Sequence, residues 1–375
     1  MLITALSLLL FLFRGISVAQ GYSAKEDLSD KRLFIQQVSV SSVSFSPSRN
    51  QSVELNYNLL GDAAVTVRVF DPDSRLVRAL CENSRRRSGR NREIWDGKDS
   101  AGSIVPDETY VFVIEAASKQ GGKAVYDPTT FSGGDEFDIT SASINRESNT
   151  VTYQLPYPAR VLIRIGIAGG PLLKTLVDWK PRVSGEITEY WNGMDEDDLL
   201  NVRDHREFKM IVTGFRLPEN SVITYGNGSI DYAGYESSLG GKRPLKENRA
   251  IDDRPNTIIS SHYGLSRVFD RSPRIVMSFP EVERSDPSSV VVLKGKALVR
   301  VEMDQAYTKL FADQQFEVSF YLDGVYYSEE EVGYTPYNWL WDLSNVAEGE
   351  HILTVNVSSF KDQIGIASKK VRVVK

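Results

Sequence analysis

Residues 51–116 and 147–212 align without a gap at an offset of 96, and this internal repeat constrains the fold more than any other feature. Tyr57 falls on Tyr153, Leu59 on Leu155, Ala63 on Ala159, Val65 on Val161 and Arg68 on Arg164. Further along, Leu80 meets Leu176, Ser88-Gly89 meets Ser184-Gly185, Glu93 meets Glu189 and Trp95 meets Trp191. Gly97 meets Gly193, Asp99 meets Asp195 and Phe112 meets Phe208. The chain therefore carries two copies of one domain.

Each copy reads as short strands. Val53, Leu55, Tyr57 and Leu59 alternate with polar residues, as do Val65, Val67 and Val69, and a period of two marks a half-buried strand. The second copy repeats the pattern at Val151, Tyr153 and Leu155 and at Val161, Ile163 and Ile165. Neither copy holds helical periodicity over three turns. About seven short strands in roughly 85–95 residues, separated by turn residues, predict a β-sandwich.

A length of 375 residues suits two or three domains, and 41% hydrophobic content suffices to build their cores. The net charge of −6 argues against a nucleic-acid binder that depends on phosphate contacts. One cysteine, Cys81, rules out a disulfide framework and any multi-thiolate metal site, and three histidines leave little for metal or acid–base chemistry. Leu2–Phe13 is an uncharged apolar run followed by Ser17-Val18-Ala19, which predicts a signal peptide over 1–19 with cleavage before Gln20. A retained N-terminal anchor is the alternative. No later segment approaches membrane-spanning length. Export with a single thiol points to a bacterial exported protein, in the periplasm, on the outer surface or outside the cell.

The segments Val65–Asp71, Leu76–Leu80, Gly89 and Trp95-Asp96-Gly97-Lys98-Asp99-Ser100-Ala101-Gly102 resemble the immunoglobulin-like module at the C-terminal end of the flagellar hook-capping protein. The second copy shows the same module as Val161–Ile165, Leu173–Leu176, Gly185 and Trp191-Asn192-Gly193-Met194-Asp195. Tandem modules of this kind occur in many exported bacterial proteins, so the resemblance implies an immunoglobulin-like fold and no particular function. Three positions depart from the pattern: Asn192 stands for Asp, Asp198 for Gly, and Asp107-Glu108 for the Gly before Tyr110. In this motif Trp95 and Trp191 are expected in the core, Gly97 and Gly193 at positive φ, and Asp99 and Asp195 on turn amides. A calcium loop over Asp96, Asp99 and Ser100, or over Asp195–Asp198, is disfavoured because the acids lack regular alternation.

Residues 285–375 form a third β-rich unit with its own pattern. Phe316, Val318, Phe320 and Leu322 alternate before the hairpin turn Asp323-Gly324. Tyr337-Asn338-Trp339-Leu340-Trp341-Asp342 and Gly349-Glu350-His351-Ile352-Leu353-Thr354-Val355 resemble the ending of other bacterial immunoglobulin-like modules on surface proteins. The expected architecture is thus all-β: three tandem immunoglobulin-like β-sandwiches at 36–118, 131–216 and 285–375. Residues 217–284 between them are expected to be a linker, a wrapping arm or a partner-binding segment, with Tyr225, Tyr232, Tyr235, His262 and Tyr263 as candidate contacts.

One window separates the two copies. Arg85, Arg86, Arg87, Arg90 and Arg92 surround Ser88-Gly89, whereas the matching window of the second copy holds only Arg182. Clustered guanidinium groups can grip phosphate or carboxylate bidentately, which makes this loop a candidate site for anionic polysaccharide. No serine-hydrolase elbow, zinc-protease motif, CxxC pair or phosphate loop is present. The sequence therefore predicts a non-catalytic scaffold without cofactor or metal, its partners being other subunits of a surface or extracellular assembly. The alternative is an anionic-glycan binder acting through the arginine loop.

Overall fold

The computed structural model describes residues 34–228 except 73 and 120, and residues 235, 272–282, 290–304, 307–308, 311, 315–360 and 363–375. The predicted signal peptide lies outside them. The first sandwich is built from β1 (Ile35–Val40), β2 (Ser44–Phe45), β3 (Val53–Leu59), β4 (Ala63–Phe70), β5 (Leu76–Arg86), β6 (Gly89–Trp95), β7 (Thr109–Ser118) and β8 (Lys123–Tyr126). One sheet runs β1-β3-β6, and β7-β4-β5 face it with β8 paired to β7. Strict alternation in β3 and β4 turns Val53, Leu55, Tyr57, Leu59, Val65, Val67 and Val69 inward around fully buried Trp95. Phe45, Tyr110 and Phe112 meet the Trp95 ring edge-on.

The second sandwich repeats this plan with β9 (Glu136–Asp138), β10 (Ser143–Asn145), β11 (Thr150–Leu155), β12 (Ala159–Ile167), β13 (Leu172–Arg182), β14 (Gly185–Tyr190) and β15 (Phe208–Arg216). Its sheets run β10-β11-β14 and β13-β12-β15-β9. The repeat extends to register. Leu59 pairs with Gly89 and Leu155 with Gly185, while Ala63 pairs with Arg86 and Ala159 with Arg182. Even the irregularity recurs: β5 and β13 are bulged against their neighbours, and Asn83 and Trp179 take φ of 43° and 46° at equivalent positions.

Beyond the second sandwich the chain folds back. β16 (Val222–Thr224) enters the first sandwich between β2 and β7, parallel to the former and antiparallel to the latter. Val222 is fully buried in the first core. The start of the segment assigned from sequence to a linker, 217–284, is therefore a structural part of the first sandwich. Three residues are too few to show a period, which is why alternation does not reveal this strand.

The third sandwich comprises β17 (Ile275–Ser278), β18 (Val291–Lys294), β19 (Lys296–Met303), β20 (Phe316–Leu322), β21 (Val325–Glu330), β22 (Tyr337–Asp342), β23 (Gly349–Ser359) and β24 (Ile364–Val374). Its sheets run β17-β19-β22 and β18-β24-β23-β20-β21. β17 lies within 217–284 and pairs with β19, so this sandwich begins before residue 285. Trp341 is fully buried, and half-buried Trp339 stacks on it at a centroid distance of 5.5 Å.

Candidate interaction surfaces

Arg86, one of the five loop arginines, is committed to its own module. Its Nε donates to Glu93 Oε1 at 2.8 Å, and the Tyr57 hydroxyl donates to the same oxygen at 3.1 Å. The second copy reproduces the trio, with Arg182 Nε on Glu189 at 2.6 Å and the Tyr153 hydroxyl on Glu189 at 3.1 Å. Burial and then the neighbouring carboxylate push both phenols up, which keeps them protonated donors. Arg92 pairs with Glu54 at 3.0 Å. Arg85, Arg87 and Arg90 are exposed and form no ion pair among the described residues. The free cationic tip is thus three arginines, and the offset itself singles out the committed one, since Arg86 falls on Arg182.

The tryptophan motif is a self-contained turn in both copies. Trp95 Nε1 donates to the Lys98 carbonyl at 3.0 Å, as Trp191 Nε1 does to Met194 at 2.8 Å. Asp99 Oδ1 accepts the amides of Ala101 and Ser103, and Asp195 Oδ1 those of Leu199 and Leu200. Gly97 has φ +72°, and a Cβ there would lie 2.2 Å from Pro47 Cγ; Gly193 has φ +90°. Asn192 accepts the Met194 amide as Asp96 accepts that of Lys98, and Asp198 takes φ 56° where Gly102 takes 84°. Both departures keep the turn. No group of three or more His, Cys, Asp or Glu among the described residues is placed to hold a metal ion.

The third departure, Asp107-Glu108, builds the joint between the first two sandwiches. Glu108 is fully buried, and its Oε1 lies 3.1 Å from Arg160 Nη2 of the second sandwich. The same oxygen accepts the Thr109 amide. Asp107 receives the amides of Gly226 and Asn227 just beyond β16, each at 2.9 Å. Val111, Leu217 and Ile223 pack with Val183 of the second sandwich to close the seam. The Tyr235 hydroxyl donates to Asp99 Oδ2 at 2.7 Å, and burial followed by that carboxylate pushes the phenol up. Tyr235 is therefore engaged by the first sandwich. Tyr225 is 42% exposed, its amide bonded to Phe45 O, whereas Tyr232, His262 and Tyr263 lie outside the described residues.

A second joint ties β13 to the outer face of the third sandwich. The Asn356 side chain accepts the Leu172 amide and donates to the Leu172 carbonyl, both at 2.9 Å, so one amide replaces a strand neighbour. Asp178 and Asp197 accept the amides of Ser272 and Ser368 at 2.8 and 2.6 Å. The Asp323-Gly324 turn fits against Gly170, where a Cβ would come within 2.7 Å of the Gly324 carbonyl oxygen. Asn356→Ala strips both partners from Leu172 and is expected to weaken this joint by about 1–3 kcal/mol. Limited proteolysis that separates the third sandwich checks it; a digestion rate equal to wild type contradicts it.

His351 is a clasp within the third sandwich. Its Nδ1 lies 2.7 Å from Asp323 Oδ2 and its Nε2 2.9 Å from Ala347 O. Both oxygens are acceptors, so imidazolium alone satisfies the two contacts. Donation of the Nδ1 hydrogen to the Asp323 carboxylate raises the imidazole pKa above its ordinary value, against the opposing effect of burial. A raised pKa contributes stability that is full below the unfolded value and fades as pH rises through the folded one. Denaturant titrations are expected to show the third sandwich weakening from mildly acidic to mildly alkaline pH. His351→Gln should remove that dependence; an unchanged slope contradicts the clasp.

No protein-family model matches the chain, and no curated protein matches it. Among solved structures it is similar to FlgD from P. aeruginosa, at 20% identity over 39% of this chain and 93% of that one, TM-score 0.20. It is also similar to the fibronectin(III)-like modules of CbhA from Clostridium thermocellum, at 11% identity over 90% and 94% of the two chains, TM-score 0.19. A 1.5-MDa bacterial ice-binding adhesin matches at 12% identity over 90% and 97%, TM-score 0.19. Likenesses this loose carry no functional argument, and the class of immunoglobulin-like β-sandwiches rests on the strand order described above.

Proposed function

We propose that the protein is an exported, non-catalytic scaffold that positions subunits of a bacterial surface or extracellular assembly through contacts of its sandwich modules, the first two of the hook-cap type. One observation carries the reading: a buried ion pair, a returning strand and an asparagine clamp hold the three sandwiches in defined contact. Fixed geometry between modules serves a spacer, whereas a binder of one small ligand has no need of it. The chemically conspicuous groups agree. Cys81 is half-buried with its thiol pushed up by burial, and His351 and the motif acids serve their own loops. Export rests on the apolar run at Leu2–Phe13, and no helix among the described residues is long and apolar enough to cross a membrane.

Purification of the tagged protein from its native envelope and culture fluid, with mass spectrometry, tests the reading. Recovery of one protein species in fixed stoichiometry is expected, and recovery of the chain with glycan alone overturns it. Exposed, unpaired Arg85, Arg87 and Arg90 favour a second reading, an anionic-glycan binder. That reading requires salt-sensitive retention on an anionic glycan that Arg85→Ala/Arg87→Ala/Arg90→Ala abolishes.

A further inference from the structure

One end of the first sandwich is basic although the chain as a whole carries a net charge of −6. β3 ends and β6 begins there, with Leu59 paired to Gly89, and Ala63 of β4 pairs there with Arg86 of β5 and Ser118 of β7. The loops that cap this end are residues 60–62, 87–88 and 119–122, and Asp62 is the one acid in them. Asp62 is occupied by the Ser88 amide at 2.9 Å. Arg85, Arg87, Arg90, Lys119 and Lys123 stand in or beside these loops, all exposed and none in an ion pair among the described residues. Leu60 adds an apolar side chain that is 55% exposed. The joint to the second sandwich uses the opposite end, where Glu108 precedes β7 and Val222 of β16 pairs with Tyr110. The chain enters at the basic end: the Phe34 carbonyl accepts the Leu60 amide at 3.2 Å, and Ile35 pairs with Leu59. In sequence Lys31 and Arg32 come just before, and residues 14–33 separate Phe34 from the apolar run Leu2–Phe13.

We propose that this basic end docks on an anionic membrane surface, its arginines and lysines pairing with lipid headgroup phosphates and Leu60 entering the headgroup layer. Where the chain enters and where the charge lies agree. Residues 14–33 extend over at most about 70 Å, so while the apolar run lies in a bilayer the first sandwich is held beside it by the end that Phe34 enters. That end carries the charge an anionic surface attracts. Guanidinium groups suit phosphate oxygens in particular, since each presents a planar fork of donors. The rest of the chain is acidic and is repelled by the same surface, which turns the basic end inward and the joint to the second sandwich outward. The contact shares with the proposed function only the export reading, and is independent of which protein the scaffold assembles.

Co-sedimentation of the predicted mature chain, from Gln20 onward, with phosphatidylglycerol vesicles tests the basic end without the apolar run. Partitioning is expected at low salt, with loss in high salt and on phosphatidylcholine vesicles. Each cation near an anionic surface contributes roughly fivefold in partitioning, so Arg85→Gln/Arg87→Gln/Arg90→Gln should lower it on the order of a hundredfold. Arg146→Gln/Arg206→Gln removes two exposed arginines of the second sandwich and should leave partitioning nearly unchanged. Unchanged thermal midpoints show that both variants fold. No partitioning at low salt, or partitioning that the two variants reduce equally or not at all, overturns membrane docking. Retention on an anionic polysaccharide without partitioning to vesicles also overturns it, in favour of the glycan reading. None of these results alters which protein the native purification recovers, so the scaffold reading stands or falls separately.

Discussion

Replacing Arg160 by alanine is expected to destabilise the first two sandwiches by about 3–5 kcal/mol, the effect of removing one partner from a buried ion pair. Glu108 has no exposure to solvent and Arg160 is 8% exposed, so the carboxylate left behind stays dry. The Thr109 amide still reaches it, which offsets only part of the loss. The pair lies between sandwiches, so the defect should appear as loss of coupling: one denaturant transition becomes two. A double replacement, Glu108→Gln with Arg160→Met, removes both charges and should recover much of the stability. Equilibrium unfolding followed by tryptophan fluorescence measures this. A loss below about 1 kcal/mol would place the pair among exposed salt bridges and contradict the account.

Val222→Asp is expected to cost roughly 3 kcal/mol or more, and to cost it in the first sandwich. Val222 is fully buried in that core although it follows the second sandwich in sequence. A carboxylate there either enters an apolar core or expels β16. Expulsion frees the seam at Val111 and Ile223 and the Asp107 contacts to Gly226 and Asn227. Hydrogen exchange gives the location. The amides of β7 near Tyr110, which β16 pairs, should lose protection while those of β11 and β14 keep theirs. Equal loss in both sandwiches would contradict the assignment of β16.

The repeat, the alternation of β3, β4, β11 and β12, and the tryptophan turns were legible because each is a local pattern repeated twice. The arginine window by itself groups Arg86 with the four other arginines of the candidate loop; the recurrence of Tyr57, Arg86 and Glu93 at the same offset is the signal that sets it apart. The joints were not. β16 is three residues long, and its pairing depends on a slot between β2 and β7 that no local pattern displays. Asp107-Glu108 registered only as a departure from a motif, and Asn356 carried no local signal; in the fold its amide is buried against Leu172. Contacts between modules join residues far apart in sequence, with no periodicity to announce them.

Thermal unfolding of two shortened chains, one ending at residue 216 and one at residue 228, tests the central claim that the first sandwich is completed from beyond the second. Both contain every strand of the two repeats, and only the longer contains β16. The account predicts one cooperative transition for the longer chain and a midpoint roughly 5–10 °C lower for the shorter, with the first sandwich melting ahead of the second. Identical midpoints and one shared transition would show that the returning strand is dispensable and contradict the account.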